Sequence, residues 1–211
     1  MSRNSGVFGT AWRLAAGFIV VLLTLTSCSP DYSLQPLSNQ AVILAFGDSL
    51  TFGKGAPADS SYPHQLAQKI PQKIINSGIS GEETSAGLPR LKRYLDKQPV
   101  DLVLLCHGGN DMLRKRDLEV TESRLVEMVN TIKDSGSEVV IIAVPKPGLF
   151  LSDHDMYKRV SEQTQSPLLS DVFSDVLSDS RLRADPAHPN ADGYKVVAER
   201  IYSLLDKAGA L

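Results

Sequence analysis

The chain has 211 residues, with 22 basic and 24 acidic side chains and a formal net charge of −2. That length suits one domain with a sizeable core. The charge balance lacks the basic excess of a nucleic-acid binder, so nucleic acid is not an expected partner. No internal repeat, low-complexity stretch or second domain is visible.

Arg3 and Arg13 precede an almost wholly apolar run, Leu14 to Leu25. A basic stretch before a short apolar one reads as a secretory signal, since a membrane span needs about 20 apolar residues. Leu25-Thr26-Ser27-Cys28 resembles the lipobox of bacterial lipoproteins. The resemblance implies removal of residues 1–27 and acyl chains on Cys28. Stable anchoring takes more than one chain, and a lipobox cysteine carries enough of them. Ser29 follows, rather than the aspartate associated with inner-membrane retention. The expected address is therefore the cell envelope, lipid-anchored and facing the periplasm, with the outer membrane favoured. The mature chain would keep 20 basic against 24 acidic residues, a net of −4. Residues 28–40 have no periodicity and read as a tether of about 40 Å reach. Residues 41–211 read as the domain.

Ala41-Val42-Ile43-Leu44-Ala45 is a short apolar run closed by Phe46-Gly47-Asp48-Ser49-Leu50. It reads as a strand buried on both faces. Ser49 at its carboxyl end stands where open α/β sheets bind ligands, which makes it a nucleophile candidate. The competing reading is that Asp48 or Ser49 caps the next helix. Ser61-Tyr62-Pro63-His64 opens a helix, with Pro63 in its first turn and Pro71 at its end. Lys73 to Asn76 is a second strand and Gly78 to Gly81 a turn. Thr84 is the expected cap of a helix carrying Leu88, Leu91 and Leu95 on one stripe. Asp101 to Cys106 is the third strand, and it places Cys106 as a buried, inert thiol rather than a disulfide partner. A long helix runs from about Glu119 to Asp134, stopped by Gly136. Glu138 to Val144 is the fourth strand. Residues 146–166 read as irregular apart from a short helix at Met156 to Gln163. A weak fifth strand at Pro167 to Ser170, a helix at Phe173 to Leu177 and a last helix at Ala191 to Leu205 complete the chain. Strands alternating with helices predict a parallel sheet covered on both faces.

Three more signals lie in the loops of this scaffold, where α/β proteins expose their chemistry. In Asp185-Pro186-Ala187-His188-Pro189 a Pro-bounded turn can set a carboxylate beside an imidazole, as a general base needs. In Gly108-Gly109-Asn110-Asp111 the Asn110 amide is a neutral donor for a developing oxyanion. The backbone N–H groups of Asn76 to Gly81 could form part of an anion site. Each pattern also has a plain turn as its alternative. Together they meet the needs of acyl transfer.

These blocks, in this order and at these spacings, resemble the SGNH (GDSL) hydrolase superfamily. The closest likeness is to its bacterial acyl-CoA thioesterase, lysophospholipase and arylesterase branch. Gly47-Asp48-Ser49-Leu50 matches the first block, Asn76 to Gly81 the second, Gly108 to Asp111 the third and Asp185 to Pro189 the last. The resemblance implies a three-layer α/β/α sandwich with a mostly parallel, about five-stranded, flavodoxin-like sheet. It implies Ser49 as nucleophile, His188 as base and Asp185 as its orienter. It implies oxyanion donors at the Ser49 and Gly81 N–H groups and the Asn110 side chain. No metal or cofactor is implied, and a monomer acting on lipid or aryl esters, with thioesters also in reach, is expected. An envelope carbohydrate O-deacetylase and a non-catalytic binding lipoprotein stay open as alternatives. His107 and Glu82-Glu83 depart from the branch, which usually has an aliphatic residue and Asp-Thr there. His107 is expected to be a satisfied core histidine, and Arg114, Lys115 and Arg116 a solvated basic face.

Overall fold

The structure, a computed structural model, describes residues 32–148 and 151–211. The apolar run at 14–25 and Cys28 lie outside the described residues. No helix among the described residues is long and apolar enough to cross a membrane.

Five strands form one parallel sheet: β1 (Val42–Gly47), β2 (Lys73–Gly78), β3 (Leu102–Cys106), β4 (Glu138–Ile142) and β5 (Leu168–Leu169). Their order is β2-β1-β3-β4-β5, with every neighbouring pair parallel. β1 and β3 are apolar runs without alternation because both of their faces are covered, and every residue of β3 is buried. The covering helices are α1 (Ser49–Phe52), α2 (Tyr62–Ala67), α3 (Thr84–Leu95), α4 (Gly109–Leu113), α5 (Leu118–Asp134), α6 (Met156–Thr164), α7 (Val172–Ser178) and α8 (Ala191–Lys207). One layer packs α2 on α8 and α8 on α7, and the other packs α3 on α5 and α5 on α6. A small antiparallel hairpin of β6 (Arg183–Asp185) and β7 (His188–Pro189) precedes α8.

The register aligns Gly47 with Gly78 on one side and with Cys106 on the other. The three strands therefore end level, and the loops after them share one edge of the sheet. A Cβ on Gly47 would lie 2.1 Å from the Cys106 carbonyl oxygen and 2.3 Å from the Thr51 hydroxyl. Only glycine lets the end of β1 pass there.

Several expectations are corrected. The stretch 28–40 is not a free tether throughout, because Leu34 is buried and its N–H donates to the Ala208 carbonyl at 2.9 Å. Leu37 donates to Ala210 in the same way. Two leucines three apart have enough apolar surface to dock beside α8, which composition alone hid. The helix opened by Pro63 ends at Ala67, short of Pro71. Thr84 begins α3 but does not cap it with its own side chain. Its N–H and hydroxyl both donate to the Asp111 carboxylate, at 2.9 and 2.6 Å.

Candidate active site

Ser49 begins α1 directly after β1. Asp48 caps that helix, its carboxylate accepting the Leu50 N–H at 3.0 Å. The two readings of Asp48-Ser49 are thus compatible: the aspartate caps while the serine hydroxyl points outward. Ser49 Oγ lies 3.1 Å from His188 Nε2, and His188 Nδ1 lies 2.8 and 2.9 Å from the two Asp185 oxygens.

The hairpin explains why a spacing of three works. Asp185 and His188 face each other across the two-residue turn Pro186-Ala187. Asn190 then caps α8 through Gly193 and donates to the Arg181 carbonyl, fixing the hairpin to the helix. An ionised carboxylate can only accept, so Nδ1 carries the ring proton and Nε2 is left free to accept from Ser49. Burial raises the Asp185 carboxyl, but the Ala187 N–H and His188 outweigh it and hold the group below its ordinary value. Asp185 therefore stays an acceptor at and below neutral pH.

Ser49, Asn110 and His188 line one cavity of about 240 Å³, walled mainly by apolar groups including Leu50, Leu113, Val144, Leu151 and Leu177. Lys146 adds an ammonium group to this wall. Asn110 Nδ2 donates to Asp48 Oδ2 at 3.0 Å and to the Glu82 carbonyl at 3.1 Å. Both amide protons are thus engaged, and an oxyanion would have to share or replace one of those acceptors. Gly81 does not line the cavity, yet its neighbour Glu82 is the residue that Asn110 holds. Gly81 adopts φ +80°, the left-handed region that favours glycine. Among the described residues, neither the Ser49 N–H nor the Gly81 N–H has an intramolecular acceptor.

The basic run after α4 is exposed, as expected, and two of its side chains are also paired. Arg114 donates to the Gly81 carbonyl and, with Arg116, to the Glu83 carboxylate, at 2.8–3.2 Å. His107 is a satisfied core histidine, as expected, with Gly108 and Glu82 as its partners. Sequence reasoning missed the pairing of Glu82 with His107 and Arg90, and that of Glu83 with Arg114 and Arg116. Each partner stands eight or more residues away in the chain, and no local pattern marks them. Among the described residues, no group of three or more His, Cys, Asp or Glu is placed to hold a metal ion. Cys106 is a free, buried thiol, and burial pushes its pKa well up.

Hydroxyl, imidazole and carboxylate in line at the carboxyl edge of a parallel sheet define an α/β serine hydrolase. A model of the GDSL-like lipase/acylhydrolase family matches residues 45–196, and the chain belongs to that family. An arylesterase of Vibrio mimicus is 34% identical over 176 residues, covering 78% of this chain and 88% of the relative. The thioesterase 1/protease 1/lysophospholipase L1 of Escherichia coli K12 is 28% identical over 196 residues, covering 89% of each chain. The crystal structure of the psychrotrophic esterase EstA from Pseudoalteromonas sp. is similar with a TM-score of 0.71 and 23% identity, over 80% of this chain and 98% of that one. The protein is a carboxylic ester hydrolase with the fold of the SGNH esterases.

Proposed function

We propose that Ser49 attacks the carbonyl of a short-chain or aryl ester and carries the acyl group as a covalent intermediate. His188 takes the hydroxyl proton and returns it to the leaving alcohol, then activates water for deacylation. Asp185 orients the imidazole and stabilises its charged form. The Ser49 and Gly81 N–H groups and the Asn110 amide receive the oxyanion. The observation that carries this reading is the unbroken line from Ser49 Oγ through His188 to Asp185, with contacts of 3.1 and 2.8 Å.

The cavity supports the substrate class. Its walls suit an apolar acyl or aryl group, and about 240 Å³ is small beside the ~300–1,000 Å³ of sites for drug-sized ligands. That favours aryl and short acyl esters over the long chains of lysophospholipids.

An envelope lipoprotein anchored through Cys28 is the proposed setting. The lipobox Leu25-Thr26-Ser27-Cys28 supports it. Leu34 and Leu37 pair with Ala208 and Ala210 just past α8. That helix begins beside His188 and its 17 residues span about 25 Å. The segment carrying Leu34 and Leu37 therefore docks near the edge of the sheet opposite the catalytic mouth.

A chain-length series of nitrophenyl esters run beside lysophosphatidylcholine tests the proposal. Acetate to hexanoate esters should be turned over fastest, and Ser49→Ala should abolish hydrolysis. Preference for long-chain lysophospholipid, or turnover by Ser49→Ala, would contradict it.

A further inference from the structure

The two departures from the family pattern touch each other. His107 follows β3, is fully buried and does not line the cavity. Its Nδ1 accepts the Gly108 N–H at 3.0 Å, so the ring proton sits on Nε2, which faces Glu82 Oε2 at 3.1 Å. Glu82 also receives two bonds from Arg90, whose guanidinium is fixed by Ser77 and lies 3.8 Å above the Phe46 ring. The His107 ring stacks on the same Phe46, with centroids 6.0 Å apart. On its other side stands Gly87, where a Cβ would come 2.4 Å from His107 Nε2. Helix α3 has room for this imidazole only because that position has no side chain.

Glu82 is the hinge of the arrangement. Its carboxylate is held by His107 and Arg90, while its carbonyl accepts the Asn110 amide. Gly81 and Glu82 come from the loop after β2, and Asn110 from α4 just after β3. The sheet ladder does not set the distance between those two segments, since β1 stands between β2 and β3. Besides the side-chain bonds of Thr84 to Asp111 and of Arg114 to Gly81, one further tie runs through the interior. The bond from His107 to Glu82 ties the root of one to the side chain of the other.

We propose that His107 is a positioning residue of the oxyanion hole, acting through Glu82 to set the Asn110 amide and the Gly81 peptide relative to Ser49. The proposal rests on the esterase reading of the site. Donors aimed at a developing charge stabilise it only when they are already in place, and a misplacement of about 1 Å can cost ~10²-fold in rate. A residue with this role changes the transition state and leaves ground-state binding nearly alone.

His107→Asn and His107→Gln separate this role from packing. Asparagine reaches the Gly108 N–H but not Glu82, whereas glutamine can set an N–H near the place of Nε2. Both are polar, but asparagine is a methylene smaller and leaves the larger gap. His107→Leu, which fills the space without an N–H, is therefore run beside them and should lose as much kcat as His107→Asn. The full chain is assayed with nitrophenyl butyrate, and with phenylboronic acid as a tetrahedral adduct on Ser49. In His107→Asn, kcat should fall about 10- to 100-fold with KM changed less than about threefold. The phenylboronic acid Ki should rise by a similar factor. His107→Gln should recover most of both. Equal losses in the Asn and Gln variants, a loss confined to KM, or failure of both to fold would assign the ring to core packing and overturn the proposal. Ser49→Ala is the control. If it hydrolyses the ester as the wild type does, the esterase reading fails. If it is inactive while the Asn and Gln variants behave alike, only the role of His107 fails.

Discussion

Replacing Asn110 by alanine should damage activity and stability together, and the structure gives the size of each effect. Loss of one oxyanion donor costs about 10²–10³ in kcat, or ~2.7–4 kcal/mol. The same change strips Asp48 Oδ2 and the Glu82 carbonyl of their partner. Asp48 is buried, and desolvation already raises its carboxyl above the ordinary value. Leu50 would be left as its main hydrogen-bond donor, and the carboxyl should move further up. An acceptor left buried and unpaired costs about 1–3 kcal/mol. At roughly 2–4 °C per kcal/mol for a domain of this size, Tm should fall by about 2–12 °C. Nitrophenyl butyrate kinetics and a calorimetric melt on the same preparation measure both quantities. A kcat within about threefold of wild type would refute Asn110 as an oxyanion donor, since no single donor of that kind is worth so little. A lowered kcat with an unchanged Tm would refute its second role as the partner of Asp48.

His188→Ala should abolish hydrolysis, while Asp185→Ala should be the milder loss in the same assay, by analogy with ~10⁶ against ~10⁴ in kcat for such triads. The Asp185 side chain is 44% exposed, so water can partly replace it. Glu82 sets an acid limb on stability. Burial raises its carboxyl, but His107 and Arg90 outweigh that and hold it below the ordinary 4.5. Because the folded value is the lower one, its stabilisation is present above about pH 4.5 and is lost as pH falls through the folded value. Melts between about pH 5 and 3 should show a flatter decline in Glu82→Gln than in wild type. Parallel declines would contradict that assignment. Gly47→Ala should give insoluble or grossly destabilised protein, because its Cβ meets the backbone of β3 at 2.1 Å. A soluble variant with a wild-type melt would refute the close approach.

Much of the fold is legible in the residues because burial on both faces leaves its mark. Leu102–Cys106 and Glu138–Ile142 are strands their apolar runs announce. Helices α5 and α8 are long enough for a 3.6-residue period to declare itself. Helices α1 and α4 are not, with four and five residues each. They exist because a strand end and a cap at Asp48 or Gly108 turn the chain there. The β6–β7 hairpin is equally short, yet it is what makes Asp185 and His188 neighbours. The site was legible as a set of residue types in the right loops. Its support was not, since Glu82 finds His107 25 positions away and Glu83 finds Arg114 31 positions away. Pairs of that separation are made by the fold: charge patterning along the chain foretold the exposure of Arg114 to Arg116 but not the bonds of Arg114 and Arg116 to Glu83.

The central claim is that Ser49 is made nucleophilic by His188, and covalent capture tests it most directly. Wild-type protein treated with a fluorophosphonate should gain one adduct by intact mass, mapped by peptide sequencing to Ser49. Ser49→Ala should gain none, and His188→Ala should label far more slowly. An unlabelled wild type, or an adduct mapped to another residue, would contradict the account.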